Sequence, residues 1–149
     1  MKKSLLFIAL IGLGFSAMSI NPRPFIKSGN HKIYCERLIE GFFKLKIFLP
    51  GSHIPIKVNY SEIDAYSIEG RLFQKVTIEE EDIHEAFMEV KERRGTLSLV
   101  CYEDYREVRV TSDLVLKTPK KRLFLFDRDV FLCEMSEEKA KELCEYFSL

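Results

Sequence analysis

The sequence predicts a mainly β domain of the α+β kind: an antiparallel sheet forming a partly open barrel or sandwich, with one inserted helix and a C-terminal helix. Three observations predict it. After His31, short runs of apolar and polar residues alternate with a period of two, which puts one side of a strand on a core and the other in water. Gly, Pro, Asn and Asp punctuate these runs at turn spacing. Two stretches, 83–94 and 136–147, instead carry apolar residues three and four apart, the spacing of a helix face.

Residues 20–30 contain Pro22, Pro24 and Gly29 and little periodicity, so they read as an extended lead-in to a single domain over 31–149. Ile33 and Cys35 alternate with polar neighbours, and after Gly41 so do Phe43, Leu45, Ile47 and Leu49; the two runs read as a hairpin. Pro50-Gly51 turns the chain into the alternating run Ile54, Ile56, Val58, Tyr60. Residues 63–68 and 72–78 form a second hairpin, with Glu69-Gly70 as its turn.

The period then changes. Ile83, Ala86, Phe87 and Val90 follow Asp82 and Glu85, an aspartate form of the capping box, and precede Gly95 as a stop. On that helix the acids of 79–82 and the pair Arg93-Arg94 are read as charges placed at the two ends of the dipole. Leu97, Leu99 and Cys101 resume strand chemistry, which turns at Glu103-Asp104 and returns with Val108 and Val110. Residues 114–117, 123–126 and 130–134 read as the last strands. Ser136 caps the final helix, whose apolar face is Ala140, Leu143, Cys144 and Phe147. The order of elements over 31–149, a meander of strands closed by a C-terminal helix, resembles the pleckstrin-homology-like architecture. The inserted helix departs from that pattern, and no motif carries a functional residue across.

The start of the chain indicates a compartment. Lys2 and Lys3 precede an apolar run, Leu5 to Phe15, and Ala17 and Ser19 set small side chains where a signal peptidase cuts. The expectation is a signal peptide over 1–19 and a secreted or periplasmic protein. The alternative is an uncleaved single-pass anchor, since no charge falls between Lys3 and Arg23. In an oxidising compartment Cys35, Cys101, Cys133 and Cys144 are disulfide candidates with three connectivities, none to two bridges formed. Cys133 with Cys144 is the preferred pair, because Phe131, Cys133 and Met135 are expected to point toward the final helix. The spacing fits no zinc or redox signature.

Charge and motifs exclude several functions. The 23 basic and 23 acidic residues balance, and loss of Lys2 and Lys3 leaves about −2, so nucleic acid is not an expected partner. The absence of Trp counts against an immunoglobulin core. No P-loop, G-x-G-x-x-G, G-x-S-x-G or H-E-x-x-H occurs, so no cofactor or metal is expected. Asp127 and Asp129 flank Arg128 as two carboxylates at one turn, a pair able to share acid and base work, but they read more simply as a polar hairpin tip. His31, His53 and His84 read as surface histidines, and a Cys–His nucleophile needs a contact that sequence does not supply. Lys117, Lys120, Lys121 and Arg122 form the one concentrated basic patch, expected on an exposed loop able to meet anionic lipid or an acidic peptide. The expected function is therefore an exported, non-enzymatic binding module with a protein or peptide partner. A membrane-anchored domain binding anionic lipid stands second and a small secreted hydrolase third.

Overall fold

The computed structural model describes residues 22–148, so the expected signal segment lies outside the described residues. Among the described residues no helix is long and apolar enough to cross a membrane. The fold is mainly β with antiparallel pairing and one C-terminal α-helix. Its strands are β1 (Phe25–Ser28), β2 (His31–Tyr34), β3 (Arg37–Glu40), β4 (Lys44–Phe48), β5 (Ile56–Asn59), β6 (Ala65–Ile68), β7 (Arg71–Ile78), β8 (Ile83–Arg94), β9 (Leu97–Arg109), β10 (Val115–Asp127) and β11 (Val130–Met135). The helix is α1 (Glu137–Ser148), and single 3-10 turns occupy Tyr60–Glu62 and Glu79–Glu81. The chain divides after Gly70 into two compact units.

The first unit holds two three-stranded groupings, β2-β1-β6 and β3-β4-β5. The stretch read as a lead-in is in fact strand β1: Ile26 is buried, and Phe25 pairs with Tyr34 on one side and Ser67 on the other. The expected pairing of 31–36 with 43–49 is replaced by β1 with β2 and β3 with β4. Gly29, at φ +55, supplies the left-handed backbone that lets β1 turn into β2, and its N–H donates to Asp64 Oδ2 at 2.6 Å. Gly41 is required by space, since a Cβ there would stand 2.5 Å from the backbone oxygen of Lys44. Leu38, Leu45, Ile47, Ile63 and Tyr66 fill this unit's interior, and the Tyr66 hydroxyl donates to Glu40 Oε1 at 2.7 Å.

The second unit is a meander, β7-β8-β9-β10-β11, followed by α1. The two ends of this ladder do not pair with each other, and no barrel closes among the described residues. Its core cluster is Ile78, Ile83, Met88, Val100, Phe124 and Phe126, with Phe131 packed edge-on against both Phe124 and Phe126. Ser136 caps α1 as expected: its Oγ accepts from Lys139 N at 3.3 Å and its carbonyl from Ala140 N at 2.9 Å.

Residues 83–94 are strand β8 and not the expected helix. Two register shifts explain the misleading spacing. One lies between Val76 and Ile78 of the β7–β8 pair, the other between Val90 and Glu92 of the β8–β9 pair, and each bulge resets which parity faces the core. Asp82 and Glu85 are left-handed, at φ +55 and +46, and the Glu85 N–H goes to Thr77 Oγ1 instead of closing a capping box. The neighbouring charges have partners across the sheet instead of a dipole: Glu81 meets Arg122, and Arg93 donates to Gln74 Oε1 at 3.0 Å.

β9 and β10 are each 13 residues long and uninterrupted, where a turn at Glu103-Asp104 and a loop at 117–122 were expected. They pair residue for residue, from Asp127 with Leu97 to Val115 with Arg109. The polar stretches read as breaks lie opposite one another: Lys120 faces Asp104 and Lys121 faces Glu103. Opposite charges in register support a strand where each sequence alone suggests a loop.

Candidate functional site

β8 pairs with β9 only as far as Cys101, and β11 pairs with β10 only from Leu123 onward. Residues 102–109 and 115–122 therefore continue as a two-stranded arm of about 27 Å, at about 3.4 Å per residue. The arm ends in a tight turn in which Val110 N donates to Leu114 O at 2.9 Å and Leu114 N donates to Thr111 Oγ1 at 3.2 Å. Val110, Leu114, Val115 and Leu116 are exposed at its tip, at 53, 48, 43 and 48 %. The period of two puts Leu116 on the face that continues through Lys120 and Arg122 to the buried ring of Phe124. Leu116 thus lies on the outward extension of the core face, and Val115 lies on the opposite face.

The basic patch is distributed along this arm. Lys117, Lys120 and Lys121 are exposed on strand β10, and the register sets an acid of β9 opposite each of them, Glu107, Asp104 and Glu103. Arg122 stands at the root of the arm and is engaged. Its guanidinium donates to both Glu134 oxygens, at 3.0 and 2.8 Å, pairs with Glu81, and lies 5.0 Å from the Phe124 ring centre. Hydrogen bonds donated to Glu134 first and Glu81 second push the Arg122 pKa still higher, and Arg122 in turn holds the Glu134 carboxyl below its usual range. Arg122 is a clamp joining β10, β11 and the 79–81 turn, and this use removes it from an anion-binding surface.

Near the other end of the meander lies a cleft of about 250 Å3 lined by residues of β7, β9, β10 and the β10–β11 turn. Val76, Val100 and Phe126 give it an apolar floor, and Gln74, Ser98, Arg128 and Asp129 add polar groups. Asp127-Arg128-Asp129 is the expected hairpin tip, with Arg128 left-handed at φ +56 and its N–H bonded to Thr96 O at 2.6 Å. Asp129 lines the cleft, whereas Asp127 does not; one Asp127 oxygen is buried with no hydrogen-bond partner among the described residues. The two carboxylates do not assemble as an acid–base pair across one cavity.

All four cysteines are free thiols, and no two stand at disulfide distance, so the expected Cys133–Cys144 bridge is absent. Cys133 sits opposite Leu125 on edge strand β11 and is exposed, while Cys144 is half-buried on α1. Cys35 and Cys101 are buried, and desolvation raises both thiol pKa values, the opposite of what an activated nucleophile requires. His84 contacts exposed Asp82 at 3.3 Å, and no histidine hydrogen-bonds a cysteine among the described residues. No cluster of His, Cys, Asp and Glu fit to hold a metal occurs among them either.

Sequence reasoning missed two exposed features. One is the arm, whose signal was the matched length of the two strands. The other is the tip of the β3–β4 hairpin, where Phe42 and Phe43 stand edge to face at 4.7 Å, exposed at 91 and 76 %. Compared with known protein families, curated proteins and solved structures, the chain matches none of them.

Proposed function

We propose that this chain is an exported, non-enzymatic binding module that engages a protein partner through the β9–β10 arm. The supporting observation is the arm itself: a ribbon of two paired strands that leaves the sheet and presents Val110, Leu114, Val115 and Leu116 to solvent. An isolated two-stranded hairpin gains little stability from solvent-exposed apolar side chains, so their retention at the tip favours a role in contact. The matched charges along the shaft support a protein partner over an anionic membrane, because Glu103 and Asp104 offset the field of Lys120 and Lys121. Export rests on the pattern of residues 1–19.

A photo-activated crosslinking residue at 114 or 116, in the protein expressed in its native compartment, tests the reading. A discrete protein adduct from these positions, absent when the probe sits at exposed Val130, is the expected result. Adducts only to lipid, or equal adducts from 130, reject it.

A further inference from the structure

The cleft beside the β10–β11 turn has more hydrogen-bonding capacity than the fold uses. Ser98 lines it and is nine-tenths buried, yet its hydroxyl has no hydrogen-bond partner among the described residues. Reached from the open cleft, that hydroxyl is free to donate to a bound acceptor. Arg128 lines the same cleft, and its guanidinium makes no ion pair or side-chain hydrogen bond with a described residue. Its backbone is nonetheless fixed by the 2.6 Å bond to Thr96 O. Gln74 is held through its Oε1 by Arg93, which leaves its amide nitrogen as a donor. Against these donors stands one exposed carboxylate, Asp129, at the rim.

Below the donors are Val76, Val100 and Phe126, brought to one face by the strand registers. We infer that this cleft binds a carboxylate attached to an apolar group: the carboxylate meets Arg128, Ser98 and Gln74, and the apolar group rests on the floor. Arginine suits this task because its planar fork matches a carboxylate bidentately. A free carboxylic acid and the C-terminal end of a peptide share this chemistry. The site is separate from the arm and stands whether or not the arm binds protein.

The test is an amide-resonance titration of the full exported chain with 3-phenylpropionate, with N-acetyl-phenylalanine as a mimic of a chain end, and with the primary amide of each. The acids are expected to move the resonances of Gln74, Ser98, Val100 and Phe126, and the neutral amides to bind about tenfold more weakly. The tighter of the two acids identifies the source of the carboxylate. Arg128→Asn, which keeps a residue tolerant of the left-handed turn, is expected to lose about tenfold in affinity with an unchanged melting temperature. Gln74→Glu is expected to weaken the acids and spare the amides. Equal binding of acids and amides, unmoved resonances at saturating acid, or wild-type affinity in Arg128→Asn would each overturn the assignment.

Discussion

The same two strands, β9 and β10, do different work at their two ends. From Leu97 to Cys101 and from Leu123 to Asp127 they lie between β8 and β11, and Leu99, Val100, Phe124 and Phe126 are buried. From Tyr102 to Arg109 and from Val115 to Arg122 the ladder continues in unbroken register with neither neighbour paired to it, and only at its root do Tyr102 and Arg122 still touch the core and β11. The backbone pairing is the same at both ends, so hydrogen bonding is not what distinguishes core from arm. The difference lies in flanking strands: two-sided cover demands apolar residues on the inner face, and its loss admits the charged cross-strand pairs of 103–104 with 120–121.

The largest expected break in that comparison is Phe124→Ala. Its ring is fully buried and packs against Phe131, so the truncation is expected to cost about 3–5 kcal/mol in urea unfolding. Leu116→Ala, on the same strand face of the arm, is expected to cost less than about 0.5 kcal/mol. Similar losses at the two positions would show that the arm is core and not a projection.

Glu89 gives the next effect. It lies on β8 with its side chain mostly covered, and its carboxyl pKa is lowered to about 2, first by the hydrogen bond from Arg71 and then by Lys91, against the opposing effect of burial. A folded-state pKa below the unfolded one stabilises the fold above the ordinary carboxylate range, and that stability is lost as pH falls from about 4.5 through about 2. Glu89→Gln is expected to lower stability at neutral pH by about 2 kcal/mol and to flatten the acid limb of the stability curve. The corresponding change on the arm, Glu103→Gln, is expected to alter stability by less than about 0.5 kcal/mol. An acid limb unchanged in Glu89→Gln would remove the ion pairs of Glu89 from the account.

At the junction, Arg122→Met is expected to cost about 1 kcal/mol, since the bonds to Glu81 and Glu134 are charged but the Glu134 side chain is partly in solvent. A double-mutant cycle with Glu134→Gln should recover a coupling of about 0.5 kcal/mol or more, and additivity would deny the clamp. The smallest effect belongs to the shaft. Lys120→Ser with Lys121→Ser is expected to change stability by less than about 0.5 kcal/mol and to leave association with anionic vesicles unaltered. Loss of vesicle binding in that variant would restore the lysines as a lipid-binding patch.

Several elements were legible because their signals are local. Ser136 with two acids in the first turn marked α1, and Asp127-Arg128-Asp129 marked a hairpin tip whose left-handed residue the structure places at Arg128. The Glu69-Gly70 turn was legible for the same reason, both residues having positive φ. Residues 83–94 were misread because bulges in two ladders disturb the strand period, and a disturbed period of two imitates a spacing of three and four. The candidate cleft was only partly visible: Asp129 and Arg128 stood out as charges at a turn, but Gln74, Ser98 and Phe126 come from three strands far apart in sequence.

Local pattern alone established that the chain is mainly β, that a helix closes it, and that the common catalytic motifs are missing. Alternation, turn residues and caps act within a few positions, and no later packing is needed to read them. Strand assembly revealed that 83–94 is a strand, that 102–122 is a paired arm in place of a loop, and that Arg122 is held by two carboxylates. Each of these depends on which strand lies alongside. Register and neighbour are properties of the assembled sheet, and no window of a single strand contains them.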